Sequence, residues 1–275
     1  MTVGVVIVTH NSAHFIAETL ESVKRQTQLP DFIAVIDDHS TDNTIQVVRE
    51  QLVSSGIQYV IHPATTEESD LHTRIAQNFM QGVKEAQNTG MEIIVLGDHD
   101  DLWHEHRIAQ HVKSFEENPT AVMVAADGVI KRDDHSAIDQ TPIPQTSHQE
   151  TLRSSFPVPA NFNGLRTTQQ FSYVMKHSVA TGGASAIKPE KFHNFDVPKG
   201  WLHDRWWSLA ATAHRGLVID TTPVIEYRIT AEQQVGLDTA NQQASKASWL
   251  GGHLKRLPRT IKRTYDLVPL YIASR

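Results

Sequence analysis

The sequence predicts an α/β protein built on a mainly parallel sheet, and three observations support this prediction. Short apolar, β-branched runs alternate with stretches of helical spacing over about the first hundred residues. The runs are continuous rather than alternating, as in strands that are buried on both faces. Polar turn residues follow the runs directly. This order of elements is typical of strand–helix–strand units, which produce parallel sheets.

The first half of the chain contains the clearest elements. The apolar runs predict strands at residues 3–8, 32–36, 58–61 and 92–96, with helices at 13–25, 41–52 and 74–86. The second half is less regular. There the predicted elements are strands at 122–126, 218–220 and 223–227, a glycine-broken strand at 181–187 and a helix at 204–214. Residues 133–164 contain four prolines and are expected to form a long irregular connection, of the kind that often serves as a lid.

Composition limits the chemistry that is available. The chain has 275 residues, a net charge of −6 and no cysteine. Disulfides, thiolate metal sites and a cysteine nucleophile are therefore excluded. A metal ion would need Asp, Glu, His or water ligands, and an oxygen-rich set of this kind suits Mg²⁺ or Mn²⁺.

Charge is unevenly distributed along the chain. Residues 251–275 contain six Lys or Arg against Asp266 alone, a net of +5, which leaves −11 on the rest of the chain. So acidic a body is a poor candidate for binding nucleic acid. The basic tail either contacts anionic lipid or is a solvated helix with paired charges. Neither a secretory signal nor a membrane-spanning run is recognisable, so we expect a cytoplasmic protein, at the inner face of the membrane if the tail binds lipid.

Three polar clusters follow predicted strands at residues 9–11, 37–38 and 98–101. Ligands of open α/β sheets bind beyond the carboxyl ends of the strands, so we expect these clusters to converge at one edge. In the third cluster, alternation along an extended segment would turn Asp98 and Asp100 towards one cation and Asp101 elsewhere. The alternative is a solvated acidic turn in which Asp100 or Asp101 caps the next helix.

Other residues have two interpretations each. Asp38 could accept the imide N–H of a pyrimidine base, while Ser40 or Asp42 could simply cap a helix. Arg74 suits a phosphate or a base carbonyl, or it is an ordinary surface arginine. Asp204 could be a general base, or a charge favoured at a helix N-terminus.

Glycines and histidines give weaker signals. Gly182 and Gly183 suggest backbone close to a ligand, although the segment is not a dinucleotide fingerprint. The histidines lack the spacing of a zinc-binding helix and are interpreted mainly as surface residues, among them His99, His104, His106 and His111.

Taken together, several segments resemble family-2 glycosyltransferases, and in particular their rhamnosyltransferase-like branch. In chain order they read VVIVTHN, SVKRQT, IDDHSTDNT, RIAQNF, QGVKEA, VLGDHDDLW, TGGASAI, WLHDRWW and EYR. The resemblance covers residues 2–236. It implies a GT-A fold over 1–236, with a nucleotide-sugar half (1–103) and an acceptor-side half (104–236), followed by a basic helical tail (237–275).

The resemblance also implies roles. The protein would be an inverting transferase that moves a sugar from a UDP- or dTDP-linked donor to a saccharide or lipid-linked saccharide, in bacterial surface polysaccharide synthesis. Asp98 and Asp100 would form the D-x-D pair, with Asp100 the direct Mn²⁺ or Mg²⁺ ligand and Asp98 the ribose or phosphate partner. Asp204 would be the catalytic base. The nucleotide would be bound by Thr9, His10, Asn11, Asp38 and Arg74, and the acceptor or diphosphate region would include Trp103, Gly182, Gly183, His203 and Arg228.

The sequence departs from the family pattern at two places. His10 stands where a loop tyrosine is common. In the C-terminal motif Y-R-x-H-x-x-N-x-x-G, Thr230 replaces the histidine and Gln233 the asparagine, so a third protein ligand for the cation is in doubt. The alternatives are a nucleotidyltransferase, against which stands the absence of a glycine-rich basic N-terminal loop, and a non-catalytic nucleotide-sugar-binding module.

Overall fold

A computed structural model describes residues 1–132, 150–229 and 265–275 of the chain. The first half alternates strands and helices as expected. Its elements are β1 (Val3–Thr9), α1 (Ile16–Lys24), β2 (Phe32–Asp37), α2 (Thr44–Val53), β3 (Gln58–Pro63), α3 (Leu71–Asn88) and β4 (Ile93–Asp98).

The second half contains more structure than the sequence predicted. Its elements are β5 (Leu102–Trp103), α4 (Arg107–Glu117), β6 (Met123–Arg132), α5 (Leu152–Ser155), α6 (Thr167–Lys176), β7 (Ser185–Ile187), α7 (His203–Ala213) and β8 (Leu217–Ile229). Helices α4 and α6 and strand β5 were not predicted, and β8 is one long strand instead of two short ones. Of the connection expected to be irregular, residues 150–164 contain α5 and a short 3₁₀ turn, while residues 133–149 lie outside the described residues.

The strands form one sheet in the order β3-β2-β1-β4-β7-β6-β8-β5. The β3-β2-β1-β4 part is entirely parallel, and β7 joins it antiparallel to both β4 and β6. A hydrophobic core lies on each face of the sheet. Alternate residues of β1 contribute to one core or the other, because successive side chains of a strand point to opposite faces. Val6 packs with α3 and α7 on one face, while Val5 and Ile7 pack with α1, α2 and α4 on the other. The expected α/β fold with a mainly parallel central sheet is confirmed.

Helix α3 lies very close to the sheet. Asp70 caps it by accepting the N–H of Thr73 at 3.0 Å. A Cβ on Gly82 would lie 2.4 Å from Val6 Cγ1, so only glycine allows this approach. The helix therefore holds its first turn, which contains Arg74, above the carboxyl edge of the parallel strands.

The tail was expected to be helical from residue 237 onwards. Residues 265–273 are helical, and residues 237–264 lie outside the described residues. Within the described ranges, no helix combines the length and the apolar character that a membrane span requires.

Candidate functional site

The three polar clusters converge at the carboxyl edge of the parallel strands, as predicted. In the sheet register, Thr9 of β1 is opposite Asp37 of β2, and Val8 is opposite Asp98 of β4. The strands thus end at the same level, and the loops that follow them lie side by side.

The loops after β1 and β2 are fixed by Asp37. Its carboxylate accepts the Thr9 hydroxyl at 2.9 Å and both the N–H and the hydroxyl of Ser40, at 3.0 and 2.6 Å. Thr9 is fully buried. Its side chain therefore holds the two loops together, and the nucleotide contact expected for Thr9 stays a prediction.

His10 and Asn11 link the same two loops. His10 Nδ1 lies 2.5 Å from the carbonyl of Asp38, which can only accept, so Nδ1 carries a proton and donates. Asn11 adopts a left-handed conformation at φ +46°, receives the N–H of Thr41 on Oδ1 at 2.8 Å and donates its own N–H to Ser40 Oγ. Both side chains reach the surface above the strands, where His10 is half-buried and Asn11 exposed.

Asp38 and Arg74 form an ion pair, with Arg74 Nε donating to Asp38 Oδ2 at 3.0 Å. Asp38 is buried, while Arg74 is 28% exposed. Arg74 is therefore not an isolated surface arginine. The pair places a carboxylate and a guanidinium together at the edge of β2, where a flat polar group can meet both.

The acidic cluster after β4 is more compact than the sequence suggested. Asp98, Asp100 and Asp101 influence one another electrostatically, and a Cβ on Gly183 would lie 2.6 Å from Oδ2 of both Asp98 and Asp101. Asp101 therefore does not face elsewhere. It also caps no helix: it accepts the backbone N–H of Arg228 at 3.2 Å, and the next helix is preceded by His106.

Burial and mutual repulsion set the protonation of this cluster. Burial, then the charges of Asp100 and Asp204, raise the pKa of Asp98 to about 7. Burial, then the charges of Asp100 and Asp98, raise the pKa of Asp101 well above its ordinary value. Among the described residues, Asp101 Oδ2 is buried with no hydrogen-bond partner. The cluster thus holds more negative charge than its surroundings neutralise.

Arg107, which the sequence analysis did not single out, lies beneath this cluster. It is fully buried, its guanidinium stacks 3.7 Å above the Trp103 ring, and it donates to the carbonyl of Leu96. Burial lowers the pKa of Arg107 to about 9, while Asp101 and Asp98 act in the opposite direction. Helical spacing could have revealed it, because Arg107 and His111 occupy the buried face of α4 together with Ile108 and Phe115.

A 3₁₀ turn at Gly182–Ala184 connects the cluster to α7. The backbone N–H of Gly183 faces Asp98 and that of Gly182 faces Asp204, and each lowers the pKa of its carboxyl group. Asp204 lies in the first turn of α7 and is half-buried. Burial raises the pKa of Asp204 to about 6, against the opposing effect of the Arg205 N–H, which it accepts at 2.6 Å.

Four other residues have surroundings that the sequence did not reveal. Trp103 is a core residue: it is 4% exposed and its ring covers Gly97. His203 is buried against Phe79, at 3.9 Å between ring centroids, so it supports α7 from inside. Arg228 pairs with Glu18 and reaches the cluster through its backbone. His111, expected at the surface, is fully buried.

The donor atoms of the cluster suit a hard cation, because all are carboxylate oxygens. In the described parts of the chain, however, no three His, Asp or Glu side chains are arranged to hold a metal ion by themselves. A cation bound by Asp98 and Asp100 would need further oxygens from a ligand or from water. Thr230 and Gln233 lie outside the described residues, as does Gly236.

Comparison with solved structures finds several proteins of similar fold. S. aureus TarS (residues 1–349, in complex with UDP) superposes with a TM-score of 0.57 at 15% identity, over 95% of this chain and 78% of that one. A mannosyltransferase from Pyrobaculum calidifontis, in complex with GDP-Man and Mn²⁺, superposes with a TM-score of 0.52 at 18% identity, over 98% of this chain and 68% of that one. Glucosyl-3-phosphoglycerate synthase from Mycobacterium tuberculosis, in complex with Mn²⁺, UDP and glucosyl-3-phosphoglycerate, superposes with a TM-score of 0.52 at 14% identity, over 89% of this chain and 76% of that one.

The chain is shorter than these proteins. It spans 60% of the TarS fragment that was solved with UDP-GlcNAc and about half, 49%, of TarS itself. At such identities the similarity shows the fold, which is GT-A. No curated protein matches the chain at a significant level.

Sequence comparison identifies the family. The profile described as "Glycosyl transferase family 2" matches residues 4–194. The matched range includes the loops after β1 and β2, the acidic cluster and the glycine turn, and it ends before Asp204. With more than half of its length matched, the chain belongs to glycosyl transferase family 2.

Proposed function

We propose that this protein is an inverting, cation-dependent glycosyltransferase that uses a UDP- or dTDP-linked sugar. The acceptor is the hydroxyl of a saccharide or lipid-linked saccharide, as in the synthesis of bacterial surface polysaccharide. Residues 1–103 bind the donor and residues 104–236 bind the acceptor. TarS with UDP-GlcNAc, and the mannosyltransferase with GDP-Man and Mn²⁺, support a nucleotide-sugar donor and a cation.

The observation that carries this proposal is the glycine turn between Asp98 and Asp204. Two consecutive backbone N–H groups face the two carboxylates, and the charge of Asp204 reaches Asp98. The proposed phosphate-side carboxylate and the proposed base are therefore both contacted by the same turn. A single displacement at an anomeric carbon requires a group on each side of that carbon, which this arrangement provides.

The nucleotide is bound by the loops after β1 and β2. Asp38 accepts the imide N–H of a pyrimidine ring, and Arg74, which already contacts Asp38, donates to a base carbonyl or phosphate. His10 and Asn11 form the adjacent surface. Thr9 acts through Asp37, by holding both loops in place.

The diphosphate lies at the acidic cluster. A divalent cation held by Asp100, Asp98, donor phosphate oxygens and water would stabilise the negative charge that the leaving nucleoside diphosphate gains. Gly183 leaves room beside Asp98 and Asp101, because any side chain there would collide with both carboxylates. The backbone N–H of Arg228 and the buried Arg107 hold Asp101 in position.

Asp204 takes the proton of the acceptor hydroxyl. As the acceptor oxygen forms its bond to the anomeric carbon, the bond from that carbon to the diphosphate oxygen breaks on the opposite face, and the configuration inverts. A base in this role supplies about 10²–10⁴ in rate. With a pKa of about 6, Asp204 is largely ionised at neutral pH and ready to accept a proton.

A donor-hydrolysis screen tests the proposed function. The purified protein is incubated with UDP-, dTDP- and GDP-sugars, with Mg²⁺, Mn²⁺ or EDTA, and the released nucleotide is measured. We expect slow hydrolysis of one UDP- or dTDP-sugar that requires the cation. Folded protein that binds and hydrolyses no donor would refute the transferase assignment. In a parallel incubation with a nucleoside triphosphate and a sugar phosphate, release of pyrophosphate would indicate a nucleotidyltransferase.

The role of Asp204 is tested separately by Asp204→Asn. The amide cannot accept the proton, so we expect donor affinity to be retained and transfer to fall by about 10²–10⁴. Asp196→Asn is the matched control, because Asp196 is exposed in the loop before α7. Transfer by Asp204→Asn within a few-fold of the control would exclude this residue as the base.

A further inference from the structure

Helix α3 contacts the loop that leads into α7 as well as the nucleotide side of the site. That loop, residues 192–202, ends directly before α7. The backbone N–H of Val197 donates to Met80 Sδ of α3 at 3.3 Å. Beyond the loop, the ring of His203 stacks on Phe79 of the same helix, at 3.9 Å between ring centroids. The start of α7 is therefore packed along α3.

One hydroxyl group joins the first turn of α3 to the end of this loop. Thr73 is buried, and its Oγ1 accepts the backbone N–H of Gly200 at 2.9 Å while it donates to Oδ1 of Asp70 at 2.7 Å. Asp70 is the residue that caps α3. The hydroxyl therefore acts as donor and acceptor at once. A side chain without a hydroxyl cannot form either bond.

Gly200 is the point at which the chain turns towards α7. Its φ of +88° lies in the left-handed region, which glycine adopts without strain. The preceding residue, Lys199, forms an ion pair with Glu68 in the segment before α3, but Lys199 is 65% exposed and such a pair contributes little. The buried bond from Gly200 to Thr73 is therefore the stronger attachment. Asp204 follows Gly200 by only four residues.

The same turn of α3 also belongs to the nucleotide side of the site. Arg74 follows Thr73 directly and pairs with Asp38. A donor bound by Asp38 and Arg74, and a base carried by α7, would thus both be positioned by one turn of helix. A shift of the loop by about 1 Å would move the base relative to the anomeric carbon, and a shift of that size can cost 10² in rate.

We propose that Thr73 is a positioning residue, whose hydroxyl keeps Asp204 at the correct distance from the bound donor sugar. This role rests on the proposed transferase function, because it acts through Asp204. The hydroxyl already bonds to Asp70 and Gly200, so it has no donor proton left for a nucleotide. Loss of the hydroxyl should therefore lower kcat and leave the affinity for the nucleotide unchanged.

Thr73→Val and Thr73→Ser test this role, because valine has nearly the shape of threonine without its hydroxyl, whereas serine retains the hydroxyl. Calorimetry with Mn²⁺ measures the Kd of UDP and dTDP, and kcat is measured on the UDP- or dTDP-sugar that the wild type hydrolyses. We expect Thr73→Val to lose at least about tenfold in kcat while its Kd stays within about threefold of the wild type. Thr73→Ser should resemble the wild type in both quantities.

Three results would overturn the proposal. The first is a kcat of Thr73→Val within about threefold of the wild type, since misplacement of a base should cost more. The second is a loss of nucleotide affinity as large as the loss of kcat, which would place Thr73 in the nucleotide site. The third is a Thr73→Ser variant as impaired as Thr73→Val, which would show that the hydroxyl is not the group responsible.

Hydrogen–deuterium exchange of the free protein tests the contact without any substrate. The N–H of Gly200 loses its acceptor in Thr73→Val, so we expect the peptide that spans residues 198–206 to exchange faster than in the wild type and in Thr73→Ser. Unchanged exchange in Thr73→Val would show that this bond does not hold the loop, and would refute the positioning role alone if the wild type is active. A folded wild type that hydrolyses no donor would instead refute the proposed function, and with it the role of Asp204.

Thr89→Val is the matched control for both measurements. Thr89 follows the opposite end of α3, and its hydroxyl donates to the carbonyl of Ala86 at 2.8 Å. We expect this variant to keep the kcat of the wild type and its exchange at residues 198–206. An equal loss of kcat in the control would contradict the specific role of Thr73. Melting temperatures of all three variants confirm that each is folded.

Discussion

Arg107 is the residue that allows so many carboxylates to share one edge of the sheet. Its guanidinium is fully buried, stacked on Trp103, and is the positive charge that acts on both Asp98 and Asp101. Two of its nitrogens have no hydrogen-bond partner among the described residues, so its contribution to the cluster is mainly electrostatic. Removing it leaves buried negative charge without compensation.

Arg107→Met is therefore expected to be strongly destabilising in the absence of a divalent cation. Breaking a buried ion pair from one side costs about 3–5 kcal/mol in the free energy of unfolding. A cation at Asp98 and Asp100 would replace part of the lost positive charge. Thermal denaturation with EDTA or with Mn²⁺ should thus show a larger Mn²⁺-dependent rise in melting temperature for the variant than for the wild type.

Arg153→Met provides the matched control for this experiment. Arg153 is also largely buried, but it donates to the carbonyls of Val179, Ala125 and Ala126 and its nearest acid is Asp127. Its loss should be destabilising without any special response to Mn²⁺. Equal Mn²⁺ shifts in the two variants and the wild type would contradict the role given to Arg107.

At the scale of elements, the turn at Gly182–Ala184 determines the distance between the two halves of the site. Two adjacent N–H groups face two different carboxylates, and the turn leads directly into β7, which lies antiparallel between β4 and β6. The turn thus links the acidic edge of the sheet to the first turn of α7.

Gly183→Ala tests this arrangement. The added Cβ would lie 2.6 Å from Oδ2 of Asp98 and of Asp101, so both carboxylates must move. We expect cation-dependent binding of UDP or dTDP, measured by calorimetry, to weaken at least about tenfold, since a shift of about 1 Å can cost 10² in a preorganised site. Gly164→Ala is the control, because nothing lies within 4 Å of the Cβ that it would add. Unchanged nucleotide binding in Gly183→Ala would show that the turn is not part of the site.

The same elements show what a sequence can and cannot reveal. The parallel strands were predictable because each is a continuous apolar run. The convergence of their polar ends was predictable because the carboxyl ends of parallel strands meet at one edge of the sheet. The neighbourhood of Asp101 was not, because Gly183 and Arg228, which contact it, are 82 and 127 residues away in sequence. Trp103 and His203 resembled site residues by their motifs, yet the burial that makes them core residues depends on long-range packing.

At the scale of the whole molecule, buried histidines couple stability to pH. His111 is fully buried and His203 is 4% exposed, and the ring nitrogens of both have no hydrogen-bond partner among the described residues. Burial lowers the pKa of each to about 3, from an ordinary value near 6.5. The unfolded chain therefore binds protons that the folded chain does not bind between these two values.

The sign of the effect follows directly. Stability is fully present above pH 6.5 and is lost as the pH falls towards 3, at up to about 1.4 kcal/mol per pH unit for each histidine. His111→Leu should reduce this slope, as measured by urea unfolding between pH 7 and 4, whereas the exposed His14→Leu should not. An identical slope in His111→Leu and the wild type would show that His111 does not contribute.

We propose that the acidic edge of the sheet binds a nucleoside diphosphate through a divalent cation. The decisive test is calorimetric titration of UDP, dTDP and GDP into the wild type and into Asp100→Asn, each with Mn²⁺ or with EDTA. We expect UDP or dTDP to bind the wild type at least about tenfold more tightly with Mn²⁺ than with EDTA, and Asp100→Asn to lose this difference, since a metal–phosphate contact contributes several kcal/mol. Equal affinity with Mn²⁺ and EDTA, or a full Mn²⁺ effect in Asp100→Asn, would contradict it.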